Sequence, residues 1–294
     1  MQQAHAPILF LGTGIMGAPM VRRLEAAGYD VEVWNRSADK AEALASENVA
    51  AIKDLMALAP AVRTVILMVS TGAVVDELLF GEDGTGGLQG MLAPGSTVIV
   101  MSSIPVQSSR AQAEKLKAHG IAYLDAPVSG GEKGAIEGTL SIMVGGEGTR
   151  VDESRPALEA MGRVIHIGPN GCGQLAKLAN QTIVGITIGA VSEALLLAKA
   201  GGADLAAVRE ALLGGFARSE ILSQHGQRMI DGNFTPGAKS EVQLKDANTA
   251  LGLADELGVE TPLLTEVAAL YAELCKKGGA NLDHSALYKL LDER

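Results

Sequence analysis

The chain has 294 residues, 47% hydrophobic and 20% charged, the balance of a soluble globular protein and more length than one ordinary domain uses. Its formal net charge of −10 gives no general basic surface, which excludes nucleic acid and anionic membranes as generic partners and requires any anionic ligand to be met by local cations. Only Cys172 and Cys275 occur, with no CxxC pair, so neither a disulfide framework nor a zinc site is indicated and a reducing cytoplasm is the expected compartment.

Met1–Pro7 is too short to be a signal peptide before the apolar run Ile8–Leu11 begins. That run reads as a strand, followed by Gly12-Thr13-Gly14-Ile15-Met16-Gly17 and a helical stretch from Ala18 to Ala27. Strand, glycine turn and helix form a dinucleotide fingerprint. Gly12 permits the tight turn, Gly14 lets backbone approach a pyrophosphate, and Gly17 lets helix and strand pack closely. The phosphates would meet free N–H groups at the helix start. A second strand, Asp30–Trp34, follows at βαβ spacing, and Asn35 lies 18 residues after Gly17, where the ribose-reading side chain is expected. Asn35-Arg36-Ser37 contains no carboxylate to bind a ribose 2′-hydroxyl, whereas Arg36 and Ser37 suit a 2′-phosphate. NADP(H) is therefore favoured, with NAD(H) as the alternative.

The α/β rhythm continues through helix Ala38–Ala45, strand Val65–Val69, helix Gly72–Leu79, strand Thr97–Met101, helix Ala111–His119 and strand Ile121–Asp125, with Gly81–Gly90 as a surface loop. Such alternation predicts a mostly parallel sheet with helices on both faces, and ligands bind beyond the carboxyl ends of its strands. Met68-Val69-Ser70 and Ser102-Ser103 then line the cofactor crevice. Ser129, Gly130 and Gly131 follow the Asp125 strand with a hydroxyl and accessible N–H groups, a neutral donor set for a substrate carboxylate. Two more strands are expected over Thr139–Val144 and Val164–Ile167.

The second half reads as helical. One long helix is predicted over Gln174–Ala200, with Lys177 near its start and Asn180 and Gln181 beside Lys177 by helical spacing. Thr182, Thr187, Ser192 and Glu193 interrupt its apolar run, so it reads as a helix buried against protein on most sides rather than a membrane span. Asp204 caps a helix to Leu213; others are expected over Ser219–Met229, Val242–Leu257 and Thr261–Lys277. The resulting division is a dinucleotide-binding domain over 1–168 and an all-α substrate and oligomerisation domain over 169–294. Its apolar helix surface implies a homodimer or homotetramer. The five histidines, His5, His119, His166, His225 and His284, lack ligand spacing with carboxylates, so no metal centre is expected. Hydride chemistry then needs a proton donor, and Lys177 is the remaining candidate acid.

The glycine fingerprint, Asp125-Ala-Pro-Val-Ser-Gly-Gly131, Gly138-Thr-Leu-Ser-Ile-Met-Val-Gly-Gly146, Gly171-x-Gly-x-x-x-Lys177, Lys245-Asp246 and Asp283-His284-Ser285 occur in one order over nearly the whole chain. Together they resemble the β-hydroxyacid dehydrogenase family, which includes 3-hydroxyisobutyrate dehydrogenase, and are most similar to its tartronate semialdehyde reductase branch. The resemblance implies a Rossmann-type doubly wound N-terminal domain joined by the long helix to an all-α domain. It also implies reduction of a short 3-oxo acid, or the reverse oxidation of a β-hydroxyacid, with Lys177 as general acid and base. Ser129, Gly130 and Gly131 would hold the small-molecule carboxylate, Asn180 or Gln181 would orient Lys177 or a substrate hydroxyl, and Lys245 would close over the nicotinamide side of the cofactor. Rival substrates are 3-hydroxyisobutyrate, other short β-hydroxyacids, glyoxylate and succinic semialdehyde; a non-catalytic dinucleotide-binding sensor is the reading from a different class. Two positions depart from the family pattern. Val100 stands where members often carry Asp before the paired serines, and Gln181 stands where more distant relatives place Asn.

Overall fold

A computed structural model describes residues 6–55, 61–81 and 86–294. His5, most of the Met1–Pro7 segment and residues 82–85 of the expected Gly81–Gly90 loop lie outside them. The chain divides after Lys177 into two compact units.

The first unit is built on a nine-stranded sheet ordered β3-β2-β1-β4-β5-β6-β8-β7, with β9 paired to β8. Its strands are β1 (Ile8–Leu11), β2 (Val31–Trp34), β3 (Val49–Ala51), β4 (Thr64–Leu67), β5 (Thr97–Val100), β6 (Ala122–Asp125), β7 (Val128–Ser129), β8 (Leu140–Gly145) and β9 (Gly162–Gly168). Why the central strands read as unbroken apolar runs is visible in β1. Ile8 and Phe10 enter the core on one face of the sheet, Leu9 and Leu11 the core on the other, so every position is buried. Ile66 against Val65 and Leu67 in β4, and Ile99 against Val98 and Val100 in β5, divide in the same way.

Helices cover both faces. Met20, Val21 and Leu24 of α1 (Gly17–Ala26) pack on the first core, joined by Ala135 of α5 (Gly131–Glu137) and Val151 and Leu158 of α6 (Gly148–Glu159). On the second core lie Val75, Leu78, Leu79 and Phe80 of α3 (Gly72–Phe80) and Ala113 and Leu116 of α4 (Val106–Lys117); α2 (Ala38–Glu42) follows β2. This is the doubly wound arrangement anticipated from the α/β alternation.

The mostly parallel sheet forms as expected with one antiparallel element, and two local expectations change. The sheet is parallel from β3 through β6, but β8 runs antiparallel to β6 and β7, because β7 continues β6 in the same direction past Ala126-Pro127 and the chain reverses through α5 before entering β8. Helix α4 starts at Val106 rather than Ala111, since Pro105 opens it and the polar run Gln107-Ser108-Ser109 is carried inside with Ser109 fully buried. The Gly81–Gly90 stretch is not wholly a surface loop, for Leu88 is 1% exposed.

The second unit is all-helical: α7 (Cys172–Ala200), which begins in the first unit and runs through the division, then α8 (Leu205–Leu213), α9 (Glu220–Asp231), α10 (Ser240–Glu256), α11 (Pro262–Leu274) and α12 (Leu287–Asp292). The Asp204 cap forms as expected, its side chain accepting from Ala207 N at 2.8 Å. By length and composition α7 is apolar enough to cross a membrane, and 33% of its apolar window is buried within the chain. Burial on most sides is thus not achieved by a single chain.

Asp283 is the polar centre of the helical unit. Fully buried, its Oδ2 accepts from Gly237 N (2.9 Å) and Ala238 N (3.2 Å) and lies 3.3 Å from Arg228. Its Oδ1 accepts from Ser285 N (3.1 Å) and Ser285 Oγ (2.6 Å), with the His225 ring 3.6 Å away. His225 and His284 meet through their Nε2 atoms at 3.1 Å. Folding therefore brings the distant His225 to the neighbouring pair Asp283 and His284. The carboxylate already accepts four hydrogen bonds, so the cluster staples α9, the 233–239 segment and the 283–285 turn together. Burial alone would raise the Asp283 carboxyl, but the His225 ring, Ser285, His284 and the Gly237 N–H outweigh it and hold the group far below the ordinary carboxylate range.

A carboxyl held low contributes stability that is fully present above its unfolded pKa of about 4 and is lost as pH falls below that value. Asp283→Ala is expected to cost roughly 3–5 kcal/mol at pH 7, the scale for removing one partner of a buried charged cluster. Denaturant midpoints of variant and wild type should converge on acidification; a gap independent of pH would show that the carboxylate charge is not what stabilises.

Candidate active site

In the first unit the glycine turn after β1 is shaped by close approach. A Cβ on Gly12 would lie 2.3 Å from Met68 O, and one on Gly17 would lie 1.9 Å from Gly12 O, so both positions exclude any larger residue. Gly14 differs: none of the described residues stands within 4 Å of its Cβ position, which leaves open space beside the turn. Thr13 Oγ1 is buried without a hydrogen-bond partner, and Met16 caps α1 with no side-chain bond, so helix-start donors are not consumed by a side chain. Open space, an orphaned hydroxyl and uncapped N–H groups fit a dinucleotide pyrophosphate. Asn35 closes the turn from β2, accepting from Thr13 N at 3.1 Å and donating to Ser37 O at 3.0 Å; Arg36 and Ser37 are exposed beside it. Ile15 is 65% exposed over the same turn.

The next strand ends are tied together. Val69 N, just past β4, donates to Ser102 Oγ at 2.8 Å, which leaves Met68 and Val69 half-buried, Ser70 exposed and Ser103 half-buried along the carboxyl edge. Ser102, buried, thus braces the edge while Ser103 and Ser70 are the more accessible hydroxyls.

Two residues without an assigned role in the sequence reading, Asp125 and Gln174, prove central. Asp125 ends β6 fully buried; its Oδ1 accepts from Gly171 N (2.8 Å) and its Oδ2 from Gln174 N (2.9 Å), so a sheet residue caps the start of α7. Burial pushes its carboxyl above the ordinary value, and the N–H groups of Gly171, Gln174 and Gly173 only partly oppose this. Gln174, also fully buried, donates to Ser102 O (2.8 Å) and accepts from Ile104 N (3.1 Å), pinning the same helix start to the end of β5. The Gly171-x-Gly173 motif has its explanation here. A Cβ on Gly173 would lie 2.4 Å from Met143 O and 2.9 Å from the Asp125 carboxylate. Lys177, half-buried, follows one turn after Gln174 on the carboxyl side of the sheet, where α/β ligands bind. A buried Asp at a strand end, followed by a helix start rich in Gly, was the signal available in the sequence.

Ser129 ends β7 half-buried, and Gly130 and Gly131 follow exposed at the start of α5 with no side-chain cap. At Gly131 no atom lies within 4 Å of a Cβ position. Among the described residues, space is therefore open on the side where a Gly131 side chain would project.

In the helical unit Asn180 and Gln181 of α7 join Lys245 of α10 through Asp246, which is 3% exposed. Asn180 Nδ2 donates to Gln181 Oε1 (2.9 Å), Gln181 Nε2 donates to Asp246 Oδ2 (2.9 Å), and Lys245 Nζ lies 3.2 Å from Asp246 Oδ1. Lys245 also borders a surface cleft of about 510 Å³ with Glu241, Leu244, Asn248 and Thr249.

Known proteins align with nearly the whole chain. A family model described as the NAD binding domain of 6-phosphogluconate dehydrogenase matches residues 7–168, and one described as NAD-binding of NADP-dependent 3-hydroxyisobutyrate dehydrogenase matches 171–291. The 2-hydroxy-3-oxopropionate reductase of Escherichia coli K12 is 42% identical, covering 96% of each chain. An NAD-dependent L-serine dehydrogenase of Pseudomonas aeruginosa is 33% identical over 97% of each. Among solved structures, Mycobacterium tuberculosis 3-hydroxyisobutyrate dehydrogenase with L-serine superposes with a TM-score of 0.86 at 31% identity, covering 97% of this chain and 99% of that one.

Asp125→Ala should remove two charge-assisted hydrogen bonds from the α7 start and cost about 3 kcal/mol, measured as a denaturant midpoint. Gly173→Ala should destabilise in the same direction through the Met143 collision. An Asp125→Ala chain that unfolds with the wild type would show that the helix start does not depend on this carboxylate.

Proposed function

This chain belongs to the β-hydroxyacid dehydrogenase family of NAD(P)-dependent oxidoreductases, and on that premise we propose that it reduces a short 3-oxo acid, best represented by tartronate semialdehyde going to glycerate. The observation that carries the mechanism is the anchored start of α7: Asp125 and Gln174 fix it against the carboxyl ends of β5 and β6, with Lys177 on the next turn. A bound nicotinamide dinucleotide supplies or accepts the hydride. Lys177 donates a proton to the substrate oxygen as it gains negative charge and takes it back in the oxidative direction. Ser129 Oγ and the N–H groups of Gly130 and Gly131 hold the carboxylate, whose fixed position sets which carbon faces the hydride. Asn180 or Gln181 orients the reacting groups, and Lys245 serves the nicotinamide side of the cofactor.

Gly12, Thr13, Gly14, Ile15, Met16 and Gly17 form the pyrophosphate cradle, with Met68, Val69, Ser70 and Ser103 along the adjoining edge. Arg36 and Ser37, exposed after Asn35, supply the donors for a 2′-phosphate and favour NADP(H) over NAD(H). Residues 1–168 serve the dinucleotide, and 169–294 the substrate and subunit contacts. A cytoplasmic homodimer or homotetramer is the proposed form. Supporting it, Ile183, Leu197, Leu257 and Leu263 of the helical unit are each more than 60% exposed in the single chain.

Lys177→Ala is expected to keep NADPH binding and lose turnover by roughly 10²-fold or more, the scale of a lost general acid; unchanged turnover removes Lys177 from the mechanism. KM measured for NADPH and NADH should favour NADPH, and Arg36→Ala should narrow the difference. A lower KM for NADH would reverse the cofactor assignment.

A further inference from the structure

His225 lies on the buried face of α9, one turn after Leu222 and one before Met229, and so enters the interior of the helical unit. There it stands between two partners. Its Nε2 is 3.1 Å from His284 Nε2, and its Nδ1 is 3.6 Å from Asp283 Oδ1, too far for a hydrogen bond. Among the described residues that Nδ1 is buried without a hydrogen-bond partner. His225 keeps 17% of its side-chain surface exposed and Asp283 none, so the group is reached from the His225 side.

The tie between the two rings is bent. A neutral imidazole carries its proton on one of two nitrogens, so across facing Nε2 atoms one ring donates and the other only accepts. The rings cross edge to face at 86° with centres 4.5 Å apart, closer than a straight N–H···N bond of that length allows. Two imidazole nitrogens bound to one zinc-class ion at about 2.1 Å each lie about 3.0–3.4 Å apart, a range that includes their separation in this chain.

Asp283 supplies what such a pair needs behind it. A metal-bound histidine turns its other nitrogen to a carboxylate or carbonyl, which fixes the tautomer and strengthens the ring as a ligand. His225 already turns Nδ1 to Asp283. One ligand atom each from His225, Asp283 and His284 lies within 4.8 Å of the others. The Asp283 oxygens are engaged, however, Oδ1 by Ser285 and Oδ2 by Gly237 N, Ala238 N and Arg228. Its place is therefore behind His225 rather than on an ion, and its charge offsets Arg228, which by itself would oppose a cation.

We propose that the Nε2 atoms of His225 and His284 bind a zinc-class divalent cation, with Asp283 holding His225 in the ligating tautomer and water completing the coordination. As the ion binds, the His225 proton moves from Nε2 to Nδ1, opposite Asp283, and the freed lone pair forms the metal bond; nothing is oxidised or reduced. The ion joins α9 to the turn before α12, 59 residues away, and stabilises the helical unit. Imidazole ligands select Zn²⁺, Co²⁺ or Ni²⁺ over the oxygen-preferring Mg²⁺ and Ca²⁺. No residue assigned to dinucleotide or substrate takes part, so the inference is independent of the reductase reading.

Metal titrations of the full, tag-free chain test this. Zn²⁺ should raise the wild-type melting temperature, as an ion bound only by the folded state does, and Mg²⁺ should not. Co²⁺ should bind with one equivalent and a visible absorption band. His225→Ala should lose the Zn²⁺-dependent rise and weaken Co²⁺ binding by more than the roughly 10–100-fold that loss of an outer partner costs. A second measurement needs no variant and decides the matter if His225→Ala does not fold. In long-range proton–nitrogen NMR of the wild type, Zn²⁺ should shift the Nε2 resonances of His225 and His284 and spare His119 and His166. Equal metal responses in wild type and His225→Ala, no response in the wild type, or shifts confined to other histidines overturn the proposal.

Discussion

The structure of the first unit depends on one buried carboxylate. Asp125 sits at the end of β6 with no exposure and accepts the Gly171 and Gln174 N–H groups, which an α-helix leaves without intrahelical partners at its start. Burying a carboxylate is costly unless its oxygens are satisfied, and burying a helix start is costly unless its donors are. Each offsets part of the other's cost, so strand end and helix start are specified together. Gly173, with no side chain, lets them approach, and Gln174 repeats the link to the end of β5. The position of Lys177, one turn further along α7, follows from this contact.

The helical unit uses the same device twice more. Asp283 gathers backbone donors from the 237–238 segment and its own turn and stands against Arg228 and His225. Asp246 gathers Gln181 and Lys245. An acceptor-only group in a dry interior dictates the orientation of every amide and N–H around it, and so gives local order that apolar packing by itself does not supply. Around this polar frame the helices bury Ile188, Leu195, Tyr271 and Leu287 as an apolar core of their own.

Much of the fold was legible in the chain because its signals are local. The central strands are short apolar runs with both faces buried, and the glycine turn announces itself by spacing. Asp204 caps α8 as its position before an apolar helix implies. Less legible were elements whose residues carry mixed signals. The first turn of α4 mixes exposed Gln107 with buried Ser109, α5 and α6 carry glycine, proline and charge, and β8 runs antiparallel because the chain reverses through α5. The site was legible as motifs but not as a network: Gly171-x-Gly173 is visible, while the reason for its glycines, the Asp125 carboxylate and the Met143 carbonyl, lies elsewhere in the chain.

What the sequence by itself determined is what periodicity and spacing encode: a doubly wound α/β unit, an all-helical unit, a dinucleotide turn and a lysine near a helix start. Partners distant in the chain were decided only by the tertiary structure. Asp125 meets Gln174 across 49 residues and Gln181 meets Asp246 across 65, while His225 and His284 meet across 59. The physical reason is that a hydrogen-bonding side chain is chemically ambiguous until its partner is known. Asn180 and Gln181 are equivalent amides on paper, and only the buried carboxylate of Asp246 decides that Gln181 is the one that donates to it.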